Sequence, residues 1–134
     1  LVAAGETVPA GNLTRALLAA ATGAPIPSVV ARSGAAATVV LASGGYPGTY
    51  RTGFPIHGIE AAEKLPEAWV FHAGTRQAAA GPVTAGGRVL AVSGRGADLR
   101  SALGRAYEAA SLIEFEGKTF RRDIGARGLG RKMS

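Results

Sequence analysis

Apolar and polar positions along the chain repeat with two periods. Leu13, Ala16, Leu17, Ala20 and Ala21 recur at helical spacing and predict a helix over residues 12–22, with Asn12 as N-cap and Gly23 at its C-terminal turn. A stronger helical pattern covers residues 97–111. Leu99, Ala102, Leu103, Ala106, Tyr107 and Ala110 share one face there, and Asp98, Ser101, Arg105 and Glu108 share the other. Gly104 weakens that helix by about 1 kcal/mol relative to alanine. Three runs bounded by glycine and rich in β-branched or aromatic residues read as strands: 37–42, 68–73 and 88–92. Strand alternation in the second run sets His72 opposite Trp69, Phe71 and Ala73. Residues 82–84 read as a short edge strand, and 59–64 as a brief helix ended by Pro66. Residues 112–115 and 119–122 flank a Glu116-Gly117 turn and read as a hairpin. The segments 23–36 and 43–58 hold prolines and glycines without a period, so they read as a connector and a long loop. Residues 126–134 read as a mobile tail, and no internal repeat or heptad is present.

Short strands with one helix long enough to cover a sheet face predict an α+β fold, a small, mostly antiparallel sheet with packed helices. The strands do not alternate regularly with helices, which argues against a doubly wound parallel sheet. A chain of 134 residues supports one core rather than two. Its 20 glycines, where roughly 7% is usual, put much of the backbone into tight turns.

The absence of cysteine excludes a disulfide scaffold, a thiolate nucleophile and a cysteine-ligated metal. No apolar run reaches the roughly 18 residues of a membrane span, and no basic flank of a secretory signal opens the chain. These features read as a soluble, cytoplasmic protein with no membrane partner. Leu1 in place of Met reads as a fragment or a processed product. The net charge of +6 points to a phosphate-bearing partner. Lys118, Arg121, Arg122, Arg127, Arg131 and Lys132 are opposed only by Asp123 in their stretch, so the charge gathers near the C-terminus. Arginine supplies most of the cations, which suits bidentate phosphate binding and equally suits a GC-rich genome.

Two glycine-rich turns are candidates for anion binding. Gly44, Gly45, Tyr46, Pro47 and Gly48 follow the first strand, with Arg51 just beyond. Glycines there let backbone N–H groups face a ligand without Cβ interference, and Pro47 stiffens the turn. Gly86, Gly87 and Arg88 precede the third strand and combine backbone donors with a forked guanidinium. Taken alone, each reads first as a plain turn that binds nothing, and neither is a Walker A loop. His57 and His72 have no companion at ligand spacing, so a metal site is not indicated. Glu60 with Glu63, and Glu114 with Glu116, read as solvated faces, and no nucleophile has an adjacent base. No catalytic residue is assigned.

Taken in order, VVLASGGYPGTYRTG at 39–53, VFHAGT at 70–75, TAGGRVLAVSGRG at 84–96, RAYEAA at 105–110 and FRRDIGARGL at 120–129 resemble the C-terminal domain of the glycinamide ribonucleotide synthetase (phosphoribosylamine–glycine ligase) family. The similarity runs from about Leu13 to Leu129. That resemblance implies an ATP-grasp ligase of purine biosynthesis, which activates glycine as an acyl phosphate and joins it to 5-phosphoribosylamine. It implies ATP and Mg or Mn bound by upstream domains, with glycine and phosphoribosylamine as substrates. It further implies residues 1–36 as a helix and connector to those domains, 37–125 as a substrate-binding domain and 126–134 as a basic tail. Gly86, Gly87 and Arg88 would bind the substrate phosphate. The 44–48 loop and Arg51 would touch the sugar phosphate, and Arg122 would pair with Asp123 to hold the domain to its neighbour. Such a segment would be inactive alone. The competing readings are a basic nucleic-acid-binding module and a purely structural domain. The aromatic residues, 6% of the chain, are not interleaved with the basic ones as stacking platforms require.

Overall fold

The computed structural model describes residues 10–27 and 33–130. In chain order the elements are α1 (Ala10–Thr22), β1 (Ala35–Ala42), α2 (Ile59–Glu63), β2 (Ala68–His72), β3 (Thr75–Ala78), β4 (Gly81–Thr84), β5 (Arg88–Gly96), α3 (Leu99–Leu112) and α4 (Ala126–Leu129). The main sheet is antiparallel in the order β1-β5-β2, and β3 with β4 forms a separate antiparallel hairpin. The fold is α+β, as the hydrophobic pattern predicts.

The central strand β5 decides the architecture. Val39 and Leu41 of β1, Leu90 and Val92 of β5 and Val70 of β2 turn one sheet face towards Ala106, Ala109 and Ala110 of α3. Small residues on α3 let the helix lie close. The approach is tightest at Gly94, where a Cβ would stand 2.4 Å from the Ala106 amide nitrogen and 2.5 Å from the Ala102 carbonyl oxygen. This is why β5 continues to Gly96 although the sequence pattern ends the strand at Val92. Glycine reads as a strand breaker in isolation, and here it is the clearance that a helix needs.

Asp98 caps α3, accepting from the Ser101 N–H at 2.7 Å and the Ser101 hydroxyl at 2.7 Å. At the other end Lys118 donates to the Ala110 and Ile113 carbonyls, satisfying acceptors the helix leaves open.

Several local expectations are corrected. Asn12 lies inside α1, which begins at Ala10, so it is not the N-cap. Residues 112–115 and 119–122 do not pair with each other. Glu114 exchanges backbone hydrogen bonds with His57, and Thr119 with Ala42, so each arm closes a different edge. β3 has no counterpart in the sequence reading because its Thr-Arg-Gln-Ala run shows no apolar alternation. Within the segment read as a tail, Ala126–Leu129 is helical, and residues 131–134 lie outside the described residues. Part of the connector, residues 28–32, also lies outside them.

Two measurements check this packing. Gly94→Ala should destabilise the domain by about 1–3 kcal/mol through overpacking, whereas Gly104→Ala, whose Cβ meets nothing within 4 Å, should stabilise it by up to about 1 kcal/mol; urea unfolding of the two variants reads both. The Ser101 backbone N–H, then its hydroxyl, hold the Asp98 carboxyl below the ordinary aspartate range. A depressed folded pKa means that the cap contributes fully above the unfolded pKa of about 3.9. The melting-temperature advantage of the wild type over Asp98→Ala should therefore be complete at neutral pH and shrink as pH falls through the depressed folded value.

Candidate functional site

The two glycine-rich turns, distant in sequence, close on each other. The Ser43 N–H donates to the Gly87 carbonyl at 2.8 Å, and the Ser43 hydroxyl donates to the Gly86 carbonyl at 2.9 Å. Ser43 is buried, so these bonds are shielded from water. The Tyr46 ring then lies directly on Gly87, where a Cβ would stand 2.1 Å from Cδ2 of the ring. Tyr50 braces Tyr46 edge-on with ring centroids 6.0 Å apart. A third turn joins them: the Gly74 N–H donates to the Arg88 carbonyl, and the Ala85 N–H to the Gly74 carbonyl, each at 2.8 Å.

The long loop is equally anchored at its far end. Gly53 and Phe54 donate to the carbonyl and hydroxyl of buried Thr84, at 2.7 and 3.1 Å. The loop is therefore held at both ends by the strand–turn unit that carries Gly86 and Gly87.

Tyr46, Gly74, Gly87, Arg88 and Ala91 line a cavity of about 640 Å³ at this junction. The paired glycines spend their carbonyls on Ser43. Among the described residues neither the Gly86 nor the Gly87 N–H donates to a backbone carbonyl. Arg88 is exposed, lines the cavity and forms no ion pair among the described residues. The arrangement thus offers unspent donors and a free guanidinium beside an aromatic wall, which suits an anion carrying an attached ring.

Arg51 lies elsewhere. Its guanidinium pairs with Glu116 at 3.0 Å, stacks over Phe54 at 5.1 Å and lines a second depression of about 220 Å³ together with Gly44, Thr49 and Gly117. The structure brings Tyr46 to Arg88 and leaves Arg51 outside that group. Ser43 and Gly74 are the residues that sequence reasoning missed. In sequence each is only the residue that follows a strand-forming run, and no local pattern marks either one.

The remaining candidates resolve as follows. Asp123 pairs with Arg121 rather than Arg122, through two hydrogen bonds, one of them from Nε at 2.8 Å. Those bonds hold the Asp123 carboxyl below its ordinary range. Arg122 instead stacks over Phe120 at 5.2 Å. His72 Nδ1 and the Thr75 hydroxyl are 2.8 Å apart. Glu114 pairs with Lys118 at 2.8 Å. Among the described residues no three His, Asp or Glu side chains gather as metal ligands, and no helix is long and apolar enough to cross a membrane.

Fold and cavity together define a small α+β domain with a glycine-lined, cationic pocket where three turns meet at one end of the sheet. The phosphoribosylglycinamide synthetase C-domain family model matches residues 36–127, and the chain belongs to that family. It is 49% identical over 118 residues to the phosphoribosylamine–glycine ligase of Streptomyces coelicolor, covering 85% of this chain and 28% of that one. It is 50% identical over 98 residues to the enzyme of the same name from Chlorobaculum tepidum, covering 73% of this chain and 23% of that one. The crystal structure of phosphoribosylamine–glycine ligase from Thermotoga maritima superposes with a TM-score of 0.71 at 39% identity, over 84% of this chain and 27% of that one. The chain thus spans about a quarter of the length of these relatives.

Removing the clasp tests how the pocket is held. Ser43→Ala leaves the Gly86 carbonyl without its partner and should cost about 1–3 kcal/mol, with an accompanying change in the Tyr46 ring resonances by NMR.

Proposed function

We propose that this chain serves as the C-terminal portion of a phosphoribosylamine–glycine ligase and forms the sugar-phosphate wall of its active site. The complete enzyme would join glycine to 5-phosphoribosylamine in the cytoplasm, giving glycinamide ribonucleotide for purine biosynthesis. ATP and Mg or Mn would supply the activation of glycine, held by domains upstream of the residues described here. The observation that carries the reading is one cavity lined by both Gly87 and an unpaired Arg88, with the N–H groups of Gly87 and its neighbour Gly86 donating to no backbone carbonyl among the described residues.

The substrate's 5-phosphate carries nearly two negative charges. Gly86, Gly87 and Arg88 would bind it, with Tyr46 and Pro47 of the 44–48 loop against the ribose. Arg51 ranks second, because a bound ligand would have to draw it from Glu116. In this division of labour residues 1–36 join the upstream domains and 37–125 bind the substrate. The basic segment 126–134 starts as a short helix against α3.

Titration of the chain with ribose 5-phosphate, followed by NMR, tests the reading. A charge-assisted hydrogen bond contributes about 1.5–3 kcal/mol, and tenfold in affinity corresponds to about 1.4 kcal/mol. Since Arg88 faces solvent, Arg88→Ala should weaken binding by about tenfold, and Arg51→Ala by clearly less. The chain alone should show no glycine-dependent ATP hydrolysis. Such activity, or binding that Arg88→Ala leaves unchanged, would overturn the assignment.

A further inference from the structure

Ser43 commits its N–H, its hydroxyl and its carbonyl to the loops around the cavity. The N–H donates to the Gly87 carbonyl at 2.8 Å, the hydroxyl to the Gly86 carbonyl at 2.9 Å, and the Ser43 carbonyl accepts from the Tyr46 N–H at 3.1 Å. The residue is only 3% exposed, so solvent competes little for these bonds. One buried serine thus joins the turn that carries the candidate donors to the ring that walls the cavity.

The paired glycines do not aim their own N–H groups. Neither Gly86 nor Gly87 has a positive φ, so neither uses the left-handed freedom of glycine. Both serve clearance instead. A Cβ at position 87 would stand 2.1 Å from the Tyr46 ring, and one at position 86 would stand 3.1 Å from the Gly74 Cα. Orientation has another source. In a planar trans peptide the C=O and the N–H that follows it point in opposite directions, and the Gly86–Gly87 bond is trans. Ser43 draws the Gly86 carbonyl to itself, which turns the Gly87 N–H to the side away from Ser43. Gly87 lines the cavity, and buried Ser43 does not. The hydroxyl also polarises that peptide, making the Gly87 N–H a stronger donor.

We propose that Ser43 is a positioning residue of the phosphate site, acting on the ligand through the Gly86–Gly87 peptide. An oxygen of a sugar phosphate dianion accepts from the Gly87 N–H, and the Arg88 guanidinium meets its charge. Ser43 touches neither. Its hydroxyl keeps the peptide plane turned so that the donor faces the ligand before the ligand arrives, and binding then spends little on ordering the turn. The inference rests on the reading above that Gly86, Gly87 and Arg88 take the phosphate, and it adds the group that aims the donor.

The test titrates ribose 5-phosphate into the wild-type chain, Ser43→Ala and Gly94→Ala, at a temperature where all three are folded, and follows the backbone amides by NMR. Gly94→Ala is the control, since it loses stability through the α3 contact and keeps the hydroxyl. In the wild type the Gly87 amide proton should move downfield at saturation, as a donor to an oxygen does. Ser43→Ala should bind about two- to tenfold more weakly, and its Gly87 amide should move less at saturation. Gly94→Ala should match the wild type in both. Wild-type affinity and an unchanged Gly87 movement in Ser43→Ala overturn the proposal and leave the phosphate reading standing. Equal weakening in Gly94→Ala makes the effect one of stability and overturns it too. Ribose 5-phosphate that moves no amide of residues 86–88 in the wild type, with an affinity indifferent to Arg88→Ala, overturns the phosphate reading and this inference with it. Relaxation of the free wild-type chain gives a check that needs no variant. The Gly87 amide should be as rigid as β5, with an order parameter of about 0.85, and a value below about 0.6 shows a turn that nothing aims and overturns the proposal.

Discussion

The close contact of α3 with β5 is the constraint on which the rest of the domain depends. Gly94 and Gly96 remove side chains from the inner face of the central strand, and Ala102, Ala106, Ala109 and Ala110 supply a helix surface small enough to fill the gap. The core is correspondingly made of short side chains, with Leu41, Leu90 and Ile113 among its largest members. A core of this kind is stabilised by closeness of approach more than by the bulk of any one residue. It also fixes β5 firmly enough that β1 and β2 can flank it on either side.

The pocket inherits its geometry from that strand. Arg88 is the first residue of β5, so its backbone is set by the sheet while its side chain stands at the sheet's end. The turn before it is held from two directions, by Ser43 from the end of β1 and by Gly74 from the end of β2. Three turns thus converge because their strands are neighbours in the order β1-β5-β2, although Ser43 and Gly74 lie 31 positions apart in the chain and Gly74 and Gly86 a further 12. Tyr46 can cover the junction only because position 87 lacks a side chain. Donors left unspent in such a place are held by the surrounding hydrogen bonds, and donors held in this way need little reorganisation on binding.

One sheet face builds the core and the other is left open. Strand alternation would permit polar residues throughout the open face, since a half-solvated antiparallel sheet is stable in that form. The chain instead places Val40, Trp69 and Phe71 there, between two arginines.

Hydrophobic periodicity was enough to locate α3, β1, β2 and the start of β5, because each buries one face against the core and burial dictates the period. The ordered motifs also carried the family, and the two glycine-rich turns stood out as backbone without side-chain obstruction. Other features depended on partners remote in sequence. The strand character of Ser93–Gly96 needs the helix that lies on it. The separation of the apparent hairpin arms needs His57 and Ala42, which take their backbone hydrogen bonds. Nothing local distinguishes Arg51, held by Glu116, from Arg88, left free. Ser43 and Gly74 acquire their roles only when β1 and β2 come to flank β5. Periodicity and motif order are local properties written into consecutive residues, whereas clearance, pairing choice and the availability of a donor are properties of neighbours that only the folded chain brings together.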